Sequence, residues 1–102
     1  MAQLLILYGH PADPAAFEEY YARQHIPYAN THMPGVRAAH NMKVISAPDG
    51  APAPYYRVSE LSYDTTADLR AGIASSDSTA TIADLMNFAT GGATLLVVGE
   101  DD

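Results

Sequence analysis

Between Asp13 and Gly35 the chain reads DPAAFEEYYARQHIPYANTHMPG, a helix with a well-marked start and a proline near its far end. Asp13 suits the N-cap, because its carboxylate can accept the orphan amide hydrogens of the first turn. Pro14 belongs at the first helical position, where its missing N–H would have found no partner anyway. From Phe17 the spacing is helical: Phe17, Tyr20, Tyr21, Gln24 and His25 fall at i, i+3, i+4, i+7 and i+8 and share one face. Glu19 and Arg23 stand one turn apart, in the favoured order, on the other side. The stripe ends in an imidazole, and Pro27 is expected to disturb the helix there by pushing Ile26 out of the α region. An aromatic face that ends in a histidine beside a helix break suits the wall of a small pocket better than plain core.

Around this helix the pattern is β-α-β-β-α-β. Leu4 to Tyr8 is a continuous apolar run between Met1 and the Gly9–Pro11 turn signals, and reads as a strand buried on both faces. Tyr28 to Met33 adds a further turn before Pro34-Gly35 closes the segment. Val36 to Ile45 alternates, with Val36, Ala38, His40, Met42 and Val44 on one face. Ser46 to Pro54, dense in Pro, Gly and Asp, is the hairpin loop, and Tyr55 to Tyr63 is the third strand. Asp64-Thr65-Thr66 supplies helix-start chemistry for an apolar stripe of Leu69, Gly72 and Ile73. Ser75 to Ser78 interrupts that helix, after which Ile82, Leu85, Met86 and Ala89 make a clean i, i+3, i+4, i+7 face. Thr90-Gly91-Gly92 is a helix C-cap and turn, not a phosphate loop, because no Lys or GxGxxG context accompanies it. Ala93 to Val98 is the last strand, apolar on both faces, and Glu100-Asp101-Asp102 is a solvated tail.

The resulting expectation is one α+β domain over residues 1–102, a four-stranded antiparallel sheet with its helices on one face. In the ferredoxin-like order of such crossovers, strands one and three are central and strands two and four are edges. The last strand is then an uncharged edge, which aggregates unless something covers it. A homodimer that closes the helix-free face and this edge is the expected remedy.

The chain has 12 acidic residues against five Lys and Arg, a formal net charge of −7. No basic patch can be assembled from so few scattered cations, so neither nucleic acid nor an anionic membrane is an expected partner. There is no cysteine, which excludes disulfides, thiolate nucleophiles and iron–sulfur ligation. The N-terminal apolar run lacks a basic region before it and is far too short to span a bilayer, which points to a cytoplasmic protein.

Chemistry falls to histidine, the side chain that titrates near neutrality. His25 is the candidate catalytic residue, by its place on the aromatic stripe beside the helix break. His40 would approach it if its strand face meets the helices. His10 and His32 lie in loop-like contexts and are expected at the surface. With no HxH or HExxH pattern, no metal site is expected. The aromatic supply (seven Tyr and two Phe) exceeds what a small core needs. Most of these are expected in the core or a dimer interface; Phe17, Tyr21, Tyr28 and His40 are candidate substrate-binding residues, and Phe88 joins them through the resemblance described below. Arg57 and Glu60 lie on opposite faces of the third strand, so one of the charges should point inward and find a structural ion partner.

Several of these residues also carry a resemblance. Phe17, Tyr20-Tyr21, His25-Ile26-Pro27 and Met33-Pro34-Gly35, followed by Pro54-Tyr55, Leu61-Ser62-Tyr63-Asp64 and Asp84-Leu85-Met86-Asn87-Phe88, resemble the EthD family, small proteins often labelled EthD-type reductases. The resemblance covers nearly the whole chain. It implies a ferredoxin-like fold that pairs into a dimeric α+β barrel, within a superfamily whose members catalyse oxygenations, cyclisations, isomerisations and haem chemistry. Joined to the residues, it implies a small oxidoreductase-type enzyme that needs no cofactor. His25 would serve as general acid or base on a hydrophobic carbonyl or phenolic molecule. Three alternatives stand beside this: an isomerase or cyclase in the same cleft, a non-catalytic carrier serving a partner oxygenase, and haem held by His25 as axial ligand. The last lacks the basic cluster that would bind the propionates.

Overall fold

The structure, a computed structural model, describes residues 1–100; Asp101 and Asp102 of the expected tail lie outside the described residues. The elements in order are β1 (Ala2–Tyr8), α1 (Pro14–Tyr20), a π-helical turn (Tyr21–His25), α2 (Ile26–Ala29), β2 (Ala38–Lys43) and β3 (Arg57–Tyr63). Then come α3 (Thr66–Ile73), α4 (Ser76–Ala83), a 3-10 turn (Asp84–Asn87) and β4 (Ala93–Gly99). The strands form one antiparallel sheet in the order β2-β3-β1-β4, with β3 and β1 central and β2 and β4 at the edges, as the pattern predicts. This is the ferredoxin-like arrangement. Among the described residues no helix is long and apolar enough to cross a membrane.

α1 starts as its sequence dictates. The Asp13 carboxylate accepts the Ala16 amide at 3.1 Å, and Pro14 opens the first turn. Its far end differs from expectation. Ile26 keeps α dihedrals (φ −63°, ψ −45°), so Pro27 does not break the helix. The disturbance lies upstream instead, where the Ile26 amide reaches back five residues to the Tyr21 carbonyl. A proline ring collides with the carbonyl four residues before it, and a widened turn makes room. Four residues advance an α-helix slightly past one full turn. The wider turn takes that advance back, so His25 stacks under Tyr21 at 6.0 Å while Gln24, expected on the buried stripe, is exposed.

One face of the sheet carries the core. Ala2, Leu4, Ile6 and Tyr8 of β1 are buried against Phe17, Tyr21, Leu69, Leu85 and Phe88. The alternate residues Leu5 and Leu7 are only half-buried, so in the single chain β1 is covered on one face, not two. β2 and β3 are shorter than the alternating runs suggest, and Ile45 lies outside any strand, fully in solvent. Met86 leaves the expected apolar stripe, because α4 stops at Ala83 and the tighter 3-10 turn rotates it outward. Gly91 does more than form a turn: a Cβ there would collide with the His10 carbonyl oxygen, so the chain leaving β1 passes against its backbone.

An ion cluster fastens α1 to the sheet. Arg57 holds the Glu18 carboxylate through two nitrogens at 2.6 and 3.0 Å, and the Tyr56 hydroxyl adds a third bond at 3.0 Å. The Arg57 hydrogen bonds, helped by Tyr56, lower the Glu18 pKa to about 2. This is the inward charge with an ion partner that the third strand leads one to expect.

Candidate functional site

The π turn aims His25 into the layer between helices and sheet, where it is 4 % exposed. Its ring lies 4.8 Å from that of Phe88, which closes one side. The 3-10 turn after α4 brings Asp84 to its edge, with Oδ2 at 2.9 Å from Nδ1. The other carboxylate oxygen accepts the Tyr20 hydroxyl at 2.5 Å and the Asn87 amide at 2.9 Å. Burial works against the charge on Asp84, but the bonds from Tyr20, Asn87 and His25 together outweigh it and hold its pKa below the ordinary value. An ionised carboxylate can only accept, so Nδ1 donates and Nε2 is the ring nitrogen left free. The pair is an oriented imidazole backed by a fixed negative charge.

His25 lines a cleft between the helix and the sheet. The inner chamber, about 30 Å³, has Ile6, Tyr8, Asn41, Ser59 and Thr81 among its other walls. It continues past Ile26, Ala29, Met33 and Leu61 into an outer chamber of about 200 Å³ whose mouth carries Arg37. Polar atoms at the inner end are organised. Ser59 donates to Asn41 Oδ1 at 2.7 Å, so the 3.2 Å contact between the Tyr21 and Ser59 hydroxyls has Tyr21 as donor. The Arg57 guanidinium lies 4.6 Å over the Tyr21 ring. Tyr8 stands apart. Its hydroxyl is buried without a hydrogen-bond partner, although Ser59 is close enough to favour its ionised form slightly. Burial and the neighbouring Tyr21 prevail, and they push the Tyr8 phenol above the usual tyrosine range.

The structure brings together only some of the residues expected at a site. Tyr21 and Phe88 pack on His25 and Phe17 packs on both of them, but all three lie behind the cleft, in the core. Tyr28 is outside, stacked on His32 at 3.8 Å beside a groove that it shares with Tyr20, Gln24 and Asp84. His40 is on the opposite face of the sheet from His25. The register pairs Asn41 with Ser59, which turns Asn41 toward the helices and its neighbour His40 away from them. Asp84, Tyr8, Asn41 and Ser59 were not anticipated. Asp84 alone had a signal, since it opens the same DLMNF segment that contributes Phe88. Among the described residues no three His, Asp or Glu side chains converge as metal ligands.

Fold and cleft together define a small ferredoxin-like protein in which a buried histidine, held from behind by a partly buried aspartate, lines an apolar pocket. The EthD domain model matches residues 9–92, and the chain belongs to the EthD family. It is 37% identical over 101 residues to an uncharacterized 11.0 kDa protein from the thcB-thcC intergenic region of Rhodococcus erythropolis, covering 99% of this chain and 96% of that one. A crystal structure of an ethyl tert-butyl ether D (EthD) family protein from Bacillus halodurans superposes with a TM-score of 0.88 at 30% identity, covering 99% of each chain. More distantly, SnoaB of Streptomyces nogalater, a cofactor-independent oxygenase, shares the fold, with a TM-score of 0.60 at 15% identity over 99% of this chain and 92% of its own.

Proposed function

We propose that the chain is a small enzyme that moves a proton on a hydrophobic carbonyl- or phenol-bearing molecule, with no resident cofactor, and that it works as a homodimer. The observation that carries this reading is the buried imidazole, oriented by a carboxylate, at the closed end of an apolar cleft. His25 Nε2 is the general base or acid, and Asp84 fixes the tautomer and steadies the imidazolium. Ile26, Ala29, Met33 and Leu61 receive the apolar body of the molecule. A carrier would need only the cavity, so the orienting carboxylate favours catalysis. An enolate or phenolate formed here is electron-rich and can pass electrons directly to dioxygen from solution, an oxidoreductase-type outcome. The name of SnoaB, a cofactor-independent oxygenase on the same fold, lends support at the level of fold alone.

The first step can be tested without the natural substrate. In D₂O the protein should catalyse deuterium uptake at the methyl group of acetophenone, followed by proton NMR. His25→Gln should keep the fold and lower the rate by about a hundredfold or more. No exchange above buffer, or exchange indifferent to this substitution, would overturn the reading.

A further inference from the structure

The inner chamber has a hydroxyl that the protein itself leaves unused. Tyr8 is 1 % exposed, its oxygen is buried, and no described residue pairs with it. Buried polar groups are ordinarily satisfied, and an exception in a native fold calls for an explanation such as a ligand or water. Asn41 is the second unused donor. Its Oδ1 accepts from Ser59, so its amide nitrogen is the end left for the cleft, and it lines both chambers. Ser59 is not available, because its single proton goes to Asn41. Tyr8 and Asn41, each with a donor to spare, therefore both line a space of about 30 Å³ whose other polar walls are His25, Ser59 and Thr81.

We propose that the Tyr8 hydroxyl and the Asn41 carboxamide form a two-donor site for the oxygen of a ligand carbonyl, or of its enolate, in the inner chamber opposite His25. This deepens the reading above and rests on it. The size of the chambers sets the class of ligand. A space for one or two water-sized groups takes a C=O head and nothing larger. The outer chamber, below the roughly 300–1,000 Å³ of pockets for drug-sized ligands, takes a small apolar body. The ligand is thus a small ketone or a similar carbonyl compound. Two donors aimed at its oxygen stabilise the negative charge that develops as His25 removes the adjacent proton.

The test compares acetophenone with α-methylstyrene, which replaces C=O by C=CH₂ at nearly the same shape. Binding is followed by proton–nitrogen NMR titration of the wild type, Tyr8→Phe and Asn41→Ala. Wild-type protein should prefer the ketone. Tyr8→Phe should weaken ketone binding about tenfold, the worth of one net hydrogen bond, and leave the hydrocarbon unchanged or tighter. Its melting temperature should stay level or rise, since the lost hydroxyl had no partner. Asn41→Ala, on an exposed edge strand, should weaken the ketone as well. Ketone binding that both variants leave intact overturns the donor site, and with exchange still dependent on His25 the general-base reading stands. If neither probe binds the wild type in the cleft, both fall together.

Discussion

Asp84 ties three side chains to one carboxylate, and the acid behaviour of the site follows from it. Its folded pKa is depressed, so its contribution to stability is present above the ordinary aspartate value and is lost as pH falls through the lowered one. Asp84→Asn keeps the volume and removes the charge. The carboxamide can still orient Nδ1 but no longer balances an imidazolium. Proton exchange should therefore fall about ten- to a hundredfold, the worth of a hydrogen bond to a charged group. Thermal melts should show the wild type more stable near neutrality, with the gap closing as the solution is acidified below the aspartate range. A gap that stays constant down to strong acid would mean that the charge adds nothing to the folded state. Nothing local in the sequence could have paired these groups: His25 and Asp84 are 59 positions apart, and Asp84 reads as an ordinary helix-surface acid.

At the scale of elements the informative feature is the π turn. Pro27 and the aromatic stripe were both legible, and so was a disturbance near His25. Its form was not, because the clash of a proline ring can be relieved by breaking the helix or by widening the turn before it. The packing of Phe17, Tyr21 and His25 against Phe88 selects the second, and that packing depends on contacts distant in sequence. The facing of β2 was left open for a similar reason. Val36 to Ile45 has apolar residues on both faces, so the side that meets the helices is set by register against β3, with Asn41 beside Ser59. The cap at Asp13 and the turn at Gly91-Gly92 rest on short-range chemistry and were readable, and the strand order followed from the ferredoxin-like arrangement of the β-α-β-β-α-β pattern. Pro27→Ala tests what maintains the wide turn. It removes a residue that costs about 3 kcal/mol in a helix interior, so the melting temperature should rise. The turn should then relax toward α geometry, swing His25 away from Asp84 and slow proton exchange. A crystal structure of the variant with the 2.9 Å contact preserved would assign the wide turn to core packing instead.

The described residues form a slab, 36 × 32 × 17 Å, with helices on one broad side and bare sheet on the other. The bare side is not uniform. His40 and Glu60 face each other toward the β2 edge, while Leu5 and Leu7 of β1 with Leu96 and Val98 of β4 make the other half apolar. Leu96, Val97 and Val98 are 44, 45 and 36 % exposed, along an edge strand with unpaired backbone groups and no charge to discourage pairing. No described residue covers this surface, and the net charge of −7 would by itself keep copies apart. A second copy laid over the β1–β4 half buries the apolar residues of both, and the face is broad enough for a standard interface of about 1,600 Å² in total. The expected state is a homodimer at micromolar concentration whose stability depends on protein concentration. Leu96→Lys places a charge and its twofold mate in that contact. Sedimentation velocity should show the wild type as a dimer, and this variant as a monomer or an aggregate with a lower melting temperature. A wild type that sediments as a well-folded monomer throughout the micromolar range would refute the dimer. The bare sheet face would then have to be one that the isolated chain tolerates in water.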